Sequence, residues 1–155
     1  MVRLSYMTQV DFHIINSPQQ SAFLTYVCKL IRKAYKNGLK VYIRADNEQQ
    51  MNLLDTLLWT FSDIDFIPHS QQSTGNENNN EMEQEPVIIG MMALEGDSGS
   101  VLINLNKQLT ENYSSYSRVF ELIANEPAAI SAGRERYRSY KNMNDTLSNH
   151  QIAVN

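Results

Sequence analysis

With a single cysteine in 155 residues, Cys28, the chain can form no internal disulfide, so its stability must come from a packed core. Cys28 falls at helical spacing with Leu24 and Ile31, the place of a small buried hydrophobe. No apolar run approaches the ~20 residues of a membrane span, and the opening MVRLSYMTQV lacks the apolar centre of a secretory signal. These absences point to a cytoplasmic protein with no membrane partner. Glycine is scarce at six residues, and neither G-x-G-x-x-G nor G-x-x-x-x-G-K-[ST] occurs, so no segment brings backbone close to a pyrophosphate. The three histidines and the cysteine are scattered without metal-ligand spacing. Neither a cofactor nor a metal is expected. Positive charge is the most unevenly missing: residues 45–106 hold no Lys or Arg, yet 11 of the 17 acidic residues fall there. Basic residues collect instead as Lys29, Arg32, Lys33 and Lys36, and as Arg134, Arg136, Arg138 and Lys141. A net charge of −4 argues against nucleic acid as a direct partner of the whole surface.

At 42% hydrophobic and 19% charged, residues 1–155 are expected to make one globular domain. A chain of this size buries roughly 70% of the surface its unfolded form exposes. The clearest grammar lies in residues 38–69. Lys40-Val41-Tyr42-Ile43-Arg44 reads as a strand, bounded by Gly38 and by Asp46-Asn47. Asp46 and Gln49 then have capping-box spacing, and Met51, Leu54 and Leu58 recur on one helical face. Trp59, Phe61, Phe66, Ile67 and Pro68 crowd the exit of that helix, and large apolar groups in a connection mark a binding surface.

Residues 1–9 read as a loose leader and 11–16, DFHIIN, as a first buried strand. Ser17-Pro18-Gln19-Gln20 predicts a helix start, and Asn37-Gly38 predicts its stop. Strand, helix and strand make a βαβ unit, whose strands are parallel and whose crossover is right-handed. Residues 70–85 are almost free of apolar side chains and predict a mobile polar insert. Strand character returns at 86–93, 100–104 and 118–123, the first two as a hairpin or as neighbours. A closing helix over 127–141 follows, with Asn125 at its cap, and 146–155 reads as a flexible tail. The expected fold is α/β: a single Rossmann-like domain with a mostly parallel sheet of about five strands, about three helices and no nucleotide-binding loop.

Two motifs invite chemistry. Gly96-Asp97-Ser98-Gly99-Ser100 looks like the nucleophile segment of trypsin-like proteases, but no His stands in matching context, and a turn between strands accounts for it. Arg134-Glu135-Arg136-Tyr137-Arg138-Ser139-Tyr140-Lys141 is more specific, because Arg134, Tyr137, Arg138 and Lys141 share one helical face begun by Ile130. That face is either a solvated surface whose tyrosines pack on the sheet or a pocket for an acidic peptide or phosphate.

Three stretches carry a family resemblance: Asp11-Phe12 with the helix through Cys28; the strand-helix-Trp59…Phe66-Ile67-Pro68-His69 segment; and Arg134-Glu135-Arg136-Tyr137-Arg138-Ser139-Tyr140. In their order and spacing they resemble the chi subunit of the bacterial DNA polymerase III holoenzyme, over nearly the whole chain. The resemblance implies a non-catalytic adaptor of DNA replication on a Rossmann-like fold without nucleotide. Such a subunit joins the clamp loader through the psi subunit, grips the acidic C-terminal tail of single-stranded DNA-binding protein, and meets DNA only indirectly. Carried over by residue, tail binding falls on Arg134, Tyr137 and Arg138, where the family more familiarly shows Lys at the last position. Ile123 and Lys141 are expected beside them, and psi binding falls on Trp59, Phe66 and Pro68. The competing readings are a small nucleotide-dependent enzyme on the same fold and direct binding of single-stranded nucleic acid by the closing helix.

Overall fold

Short runs of β-branched and aliphatic residues without polar interruption, such as Val41-Tyr42-Ile43 and Val101-Leu102-Ile103, suit strands covered on both faces, and parallel sheets are built of such strands. In the computed structural model, which describes residues 8–60, 67–72 and 85–154, both runs lie at the centre of a seven-stranded sheet. The strands are β1 Gln9–Ile15, β2 Lys40–Arg44, β3 His69–Gln71, β4 Val87–Gly90, β5 Ser100–Asn104, β6 Arg118–Ile123 and β7 Thr146–Ile152. Their order is β3-β4-β2-β5-β6-β1-β7, and every pairing is parallel.

Three α-helices lie among the described residues: α1 Gln20–Lys36, α2 Glu48–Thr60 and α3 Pro127–Asn142. Phe23, Val27 and Ile31 of α1 and Met51, Leu54 and Leu58 of α2 pack on one face of the sheet, against Val41, Ile43, Ile89 and Ile103. The period-two alternation of strands sends Val10, Phe12, Tyr42, Leu102 and Val119 to the other face, where Tyr140 of α3 meets them. Beyond α3 that second face is covered by connections. Tyr116 donates its hydroxyl to the Leu94 carbonyl there, and Tyr42 to that of Met92.

The α/β class stands, but the sheet has seven strands where about five were expected. The first βαβ unit is parallel with its strands apart, since β6 and β5 lie between β1 and β2. Strands β4 and β5 form no hairpin, because β2 separates them and is parallel to both. The first residues of the expected mobile insert are instead part of the sheet edge: Ser70 and Gln71 belong to β3, and the Gln72 N–H donates to the Ile89 carbonyl at 2.8 Å. Residues 73–84 of that insert lie outside the described residues. Of the residues expected as a leader, Thr8 is buried and Gln9 opens β1, while residues 1–7 lie outside the described residues.

The flexible tail is corrected to a strand. TLSNHQI pairs with β1 in unbroken register from Gln9–Thr146 to Ile15–Ile152, and as an edge strand it is too exposed to carry an apolar signature. Caps shift as well. The Ser17 hydroxyl accepts from the Gln19 N–H (3.2 Å) in the turn before α1, whose N-cap is Gln19. At α2 the box moves one residue on: Asn47 Oδ1 accepts from the Gln50 N–H (2.8 Å), and Gln50 Oε1 from the Asp46 N–H (2.7 Å). At α3 the cap is Glu126 rather than Asn125, with Pro127 in the first turn. The Gly96–Ser100 segment is a turn held by its own side chains, with Asp97 Oδ1 accepting from the Gly99 N–H (2.8 Å) and Ser100 Oγ from the Asp97 N–H (2.8 Å).

Truncation after Asp145 removes the partner along one whole side of β1 and uncovers a long apolar edge. We expect the truncated chain to melt at lower temperature and to aggregate, as read by circular dichroism and light scattering. Melting like that of the full chain would make β7 dispensable.

Candidate functional site

The cationic segment of α3 divides into an inward and an outward part. Arg136 and Tyr140, four residues apart, face the sheet, and both reach Glu121 of β6. The Glu121 carboxylate is fully buried and accepts from Arg136 Nε (2.9 Å), the Tyr140 hydroxyl (2.5 Å) and Asn104 Nδ2 (3.0 and 3.1 Å). Arg136 also donates through Nη1 to the Lys107 carbonyl at 2.7 Å. Burial pushes the Glu121 carboxyl up, and Arg136, Tyr140 and Asn104 oppose this by donating to its ionised form. The Tyr140 hydroxyl is pushed far above its ordinary value, first by burial and then by the Glu121 charge. Arg136 is thus a structural anchor. Glycine at 133 eases the approach of helix to strand, because a Cβ there would press on the Ile123 side chain.

Anchored in this way, α3 forms one wall of a groove of about 600 Å³. Phe12 and Ile14 of β1 and Ile123 of β6 make an apolar floor, and Ile130, Arg134 and Tyr137 make the helical wall. The Tyr137 ring is half-buried and meets Phe12 edge-on, 5.3 Å between centroids. Asn149 and Gln151 of β7 form the opposite rim with Asn125. Arg134 is exposed, is the one charged side chain among the described lining residues, and has no ion pair within the described residues. An apolar floor beneath a free guanidinium suits a ligand that joins a carboxylate or phosphate to an apolar group.

Of the residues expected here, Ile123, Arg134 and Tyr137 come together in the groove. Arg138 and Lys141 stay outside it: Arg138 is exposed and pairs with Glu135 through Nη1 at 2.5 Å, and Lys141 lies exposed near the helix end. Asn149 and Gln151 escaped the reading of the sequence, and only their register opposite Phe12 and Ile14 reveals them.

A second surface surrounds Trp59 near the end of α2, its side chain exposed (56%). Its ring lies 4.7 Å from that of His69, which is buried at the start of β3. The Nδ1–H of His69 donates to the Ile67 carbonyl at 2.7 Å, and Nε2 faces Asp55 Oδ1 at 3.2 Å. Pro68 follows, half-buried, whereas Phe66 lies outside the described residues. The Trp59 surface borders β3 at one edge of the sheet, and the α3 groove borders β7 at the other, on the opposite face. Six strand spacings separate those edges, about 29 Å.

Fold and site together define a parallel α/β domain that carries a groove on one face and an exposed aromatic surface at the far edge of the other. The family described as "DNA polymerase III chi subunit, HolC" matches residues 7–148, and the chain belongs to it. Its role is therefore in DNA replication, as a subunit of DNA polymerase III. The chain is 36% identical to the DNA polymerase III subunit chi of Pseudomonas aeruginosa over 94% of this chain and 98% of that one. It is 25% identical to the Escherichia coli subunit over 78% and 80% of the two chains. Among solved structures, T4 UvsW superimposes with a TM-score of 0.68 at 8% identity, over 96% of this chain and 42% of that one, which is a likeness of fold alone. No helix among the described residues is long and apolar enough to cross a membrane.

Glu121→Ala removes the carboxylate and leaves Arg136 buried without a counter-charge, a change that costs about 3–5 kcal/mol. Urea unfolding should show that loss, and a variant of near-parental stability would remove the network from its anchoring role.

Proposed function

We propose that this subunit is a non-catalytic adaptor that links the clamp loader, through the psi subunit, to the acidic C-terminal tail of single-stranded DNA-binding protein. The observation that carries the reading is the separation of its two surfaces, on opposite faces and opposite edges of one rigid sheet, where two partners can be held at once without collision. The tail occupies the α3 groove. Arg134 takes a carboxylate and Tyr137, Ile123 and Phe12 cover the apolar end, with Arg138 and Lys141 adding long-range attraction from outside. Psi occupies the Trp59 surface with Pro68 beside it, and Phe66, which the resemblance also assigns to psi, lies outside the described residues. The work is done in the cytoplasm at the replication fork.

Arg134→Ala should weaken the tail about 10- to 100-fold, the equivalent of ~1.5–3 kcal/mol for a charge-assisted contact, and leave the melting temperature unchanged. Titration of a labelled acidic tail peptide at two ionic strengths checks this, with weaker binding expected at the higher. Parental affinity for the tail in a variant that still binds psi would move the pocket elsewhere.

Trp59→Ala should weaken psi association by ~2 kcal/mol or more while the chain stays folded, because an exposed indole braced on the buried His69 ring has the make-up of an interface anchor. Isothermal titration with psi and a thermal melt decide it. Unchanged psi affinity sinks the assignment, as does a variant that no longer folds.

A further inference from the structure

Across the sheet from the α3 groove, a second groove runs between α1 and the end strands β6, β1 and β7. Its main hollow, about 480 Å³, is walled by Tyr26, Lys29 and Lys33 of α1 and by Arg118, Phe120 and His150 of the strands. A neighbouring hollow shares Tyr26 and Lys29 and carries the groove on to Gln19 at the start of the helix. No carboxylate lines either hollow among the described residues. Of the acidic stretch, the described residues 45–60, 67–72 and 85–106 place α2, β3 and β4 on the other half of the sheet and β5 at its centre.

The cations here differ in kind from that of the α3 groove. Arg118 is already turned onto Asp11, with Nε and Nη2 each 2.5 Å from Oδ2. Lys29 and Lys33 are exposed, stand one helical turn apart and have no ion pair within the described residues. Free ammonium groups attract phosphates as point charges, whereas carboxylates are best held by a guanidinium fork, which this groove has spent on Asp11. Aromatic faces adjoin the two lysines. His150 is exposed and meets His13 edge-on at 5.2 Å, and the Tyr26 hydroxyl lies 2.6 Å from His13 Nδ1. Burial first, and then the positive field of His150, lowers His13 to about 4, with Arg118 and Lys33 adding to the effect and Asp11 opposing it. The ring is therefore uncharged at neutral pH and sits among cations. Lysines beside flat rings, in a groove that runs the length of a helix, make up the chemistry that takes single strands without regard to sequence.

We propose that the α1–β7 groove binds single-stranded DNA directly, with backbone phosphates on Lys29 and Lys33 and bases against His150 and Tyr26. This goes beyond the adaptor reading and does not rest on it.

The test is fluorescence anisotropy of a labelled oligothymidylate of about 16 nucleotides, titrated with the full chain alone at about 50 and 200 mM salt. Binding that weakens as salt rises is expected. Lys29→Glu with Lys33→Glu should lower affinity at least tenfold and flatten the salt dependence, and the milder pair of Gln substitutions should act in the same direction. His150→Ala should weaken binding severalfold without changing the salt slope, and Arg134→Ala should bind DNA like the parent. The lysine variants should melt like the parent and hold the acidic tail peptide with parental affinity, so failure here is distinct from failure of the adaptor reading. No binding by the parent at the lower salt overturns the proposal, as does parental DNA affinity in both lysine pairs. Equal loss in Arg134→Ala would place the strand on α3, and displacement of DNA by a glutamate peptide at equal charge would make the groove a site for acidic protein; each result also overturns it.

Discussion

The ion pair between Glu121 and Arg136, closed by Tyr140 and Asn104, decides where everything on α3 points. A buried carboxylate is expensive in isolation, and here each of its donors comes from a different place: a neighbouring strand, and two turns of one helix. Their convergence fixes the rotation of α3 about its axis as well as its distance from the sheet. Arg134 and Tyr137 then face outward beside β1 because Arg136 and Tyr140 are held inward. Gly133 adds to the constraint, since a Cβ there would press on the end of the Ile123 side chain. The groove wall is held by contacts internal to the fold, and preorganised grooves lose less entropy when a flexible peptide docks.

The strand order does comparable work at larger scale. Because β6 and β5 lie between β1 and β2, α1 must cross two strands, and a hollow is left between it and the β6, β1 and β7 end of the sheet. The two sides of that end are consequently different in chemistry: a guanidinium above an apolar floor on one, ammonium groups among aromatic rings on the other. Strand β7 borders both, and its alternation sends Asn149 and Gln151 to one side and His150 to the other.

The central architecture was open to a reader of the sequence because burial on both faces leaves an uninterrupted apolar trace. Strands β2, β5 and β6 and helix α3 lie where their runs and periodicity place them, within a residue or so. Edge strands carry no such trace. His69-Ser70-Gln71 and Thr146–Ile152 are polar because one side of each faces water, and pairing alone reveals them. The site was legible in part for a related reason: helical spacing groups Arg134 with Tyr137, but it cannot tell an inward arginine from an outward one. Separating Arg136 from its neighbours takes knowledge of Glu121, fifteen positions away, and of the register that sets them opposite each other. Asn149 and Gln151 had no signal at all, being short amides in a polar run.

The pairing of β1 with β7 also has a consequence in time. The Thr8 N–H reaches Asp145 across 137 positions of sequence, so β1 leaves the ribosome long before its outer partner exists. At 5–20 residues per second the interval is on the order of ten seconds. Throughout it the groove has neither α3 nor its amide rim, and the nascent chain lacks the pocket proposed for an acidic tail. Under that proposal, tail capture is reserved for chains whose synthesis has run through β7.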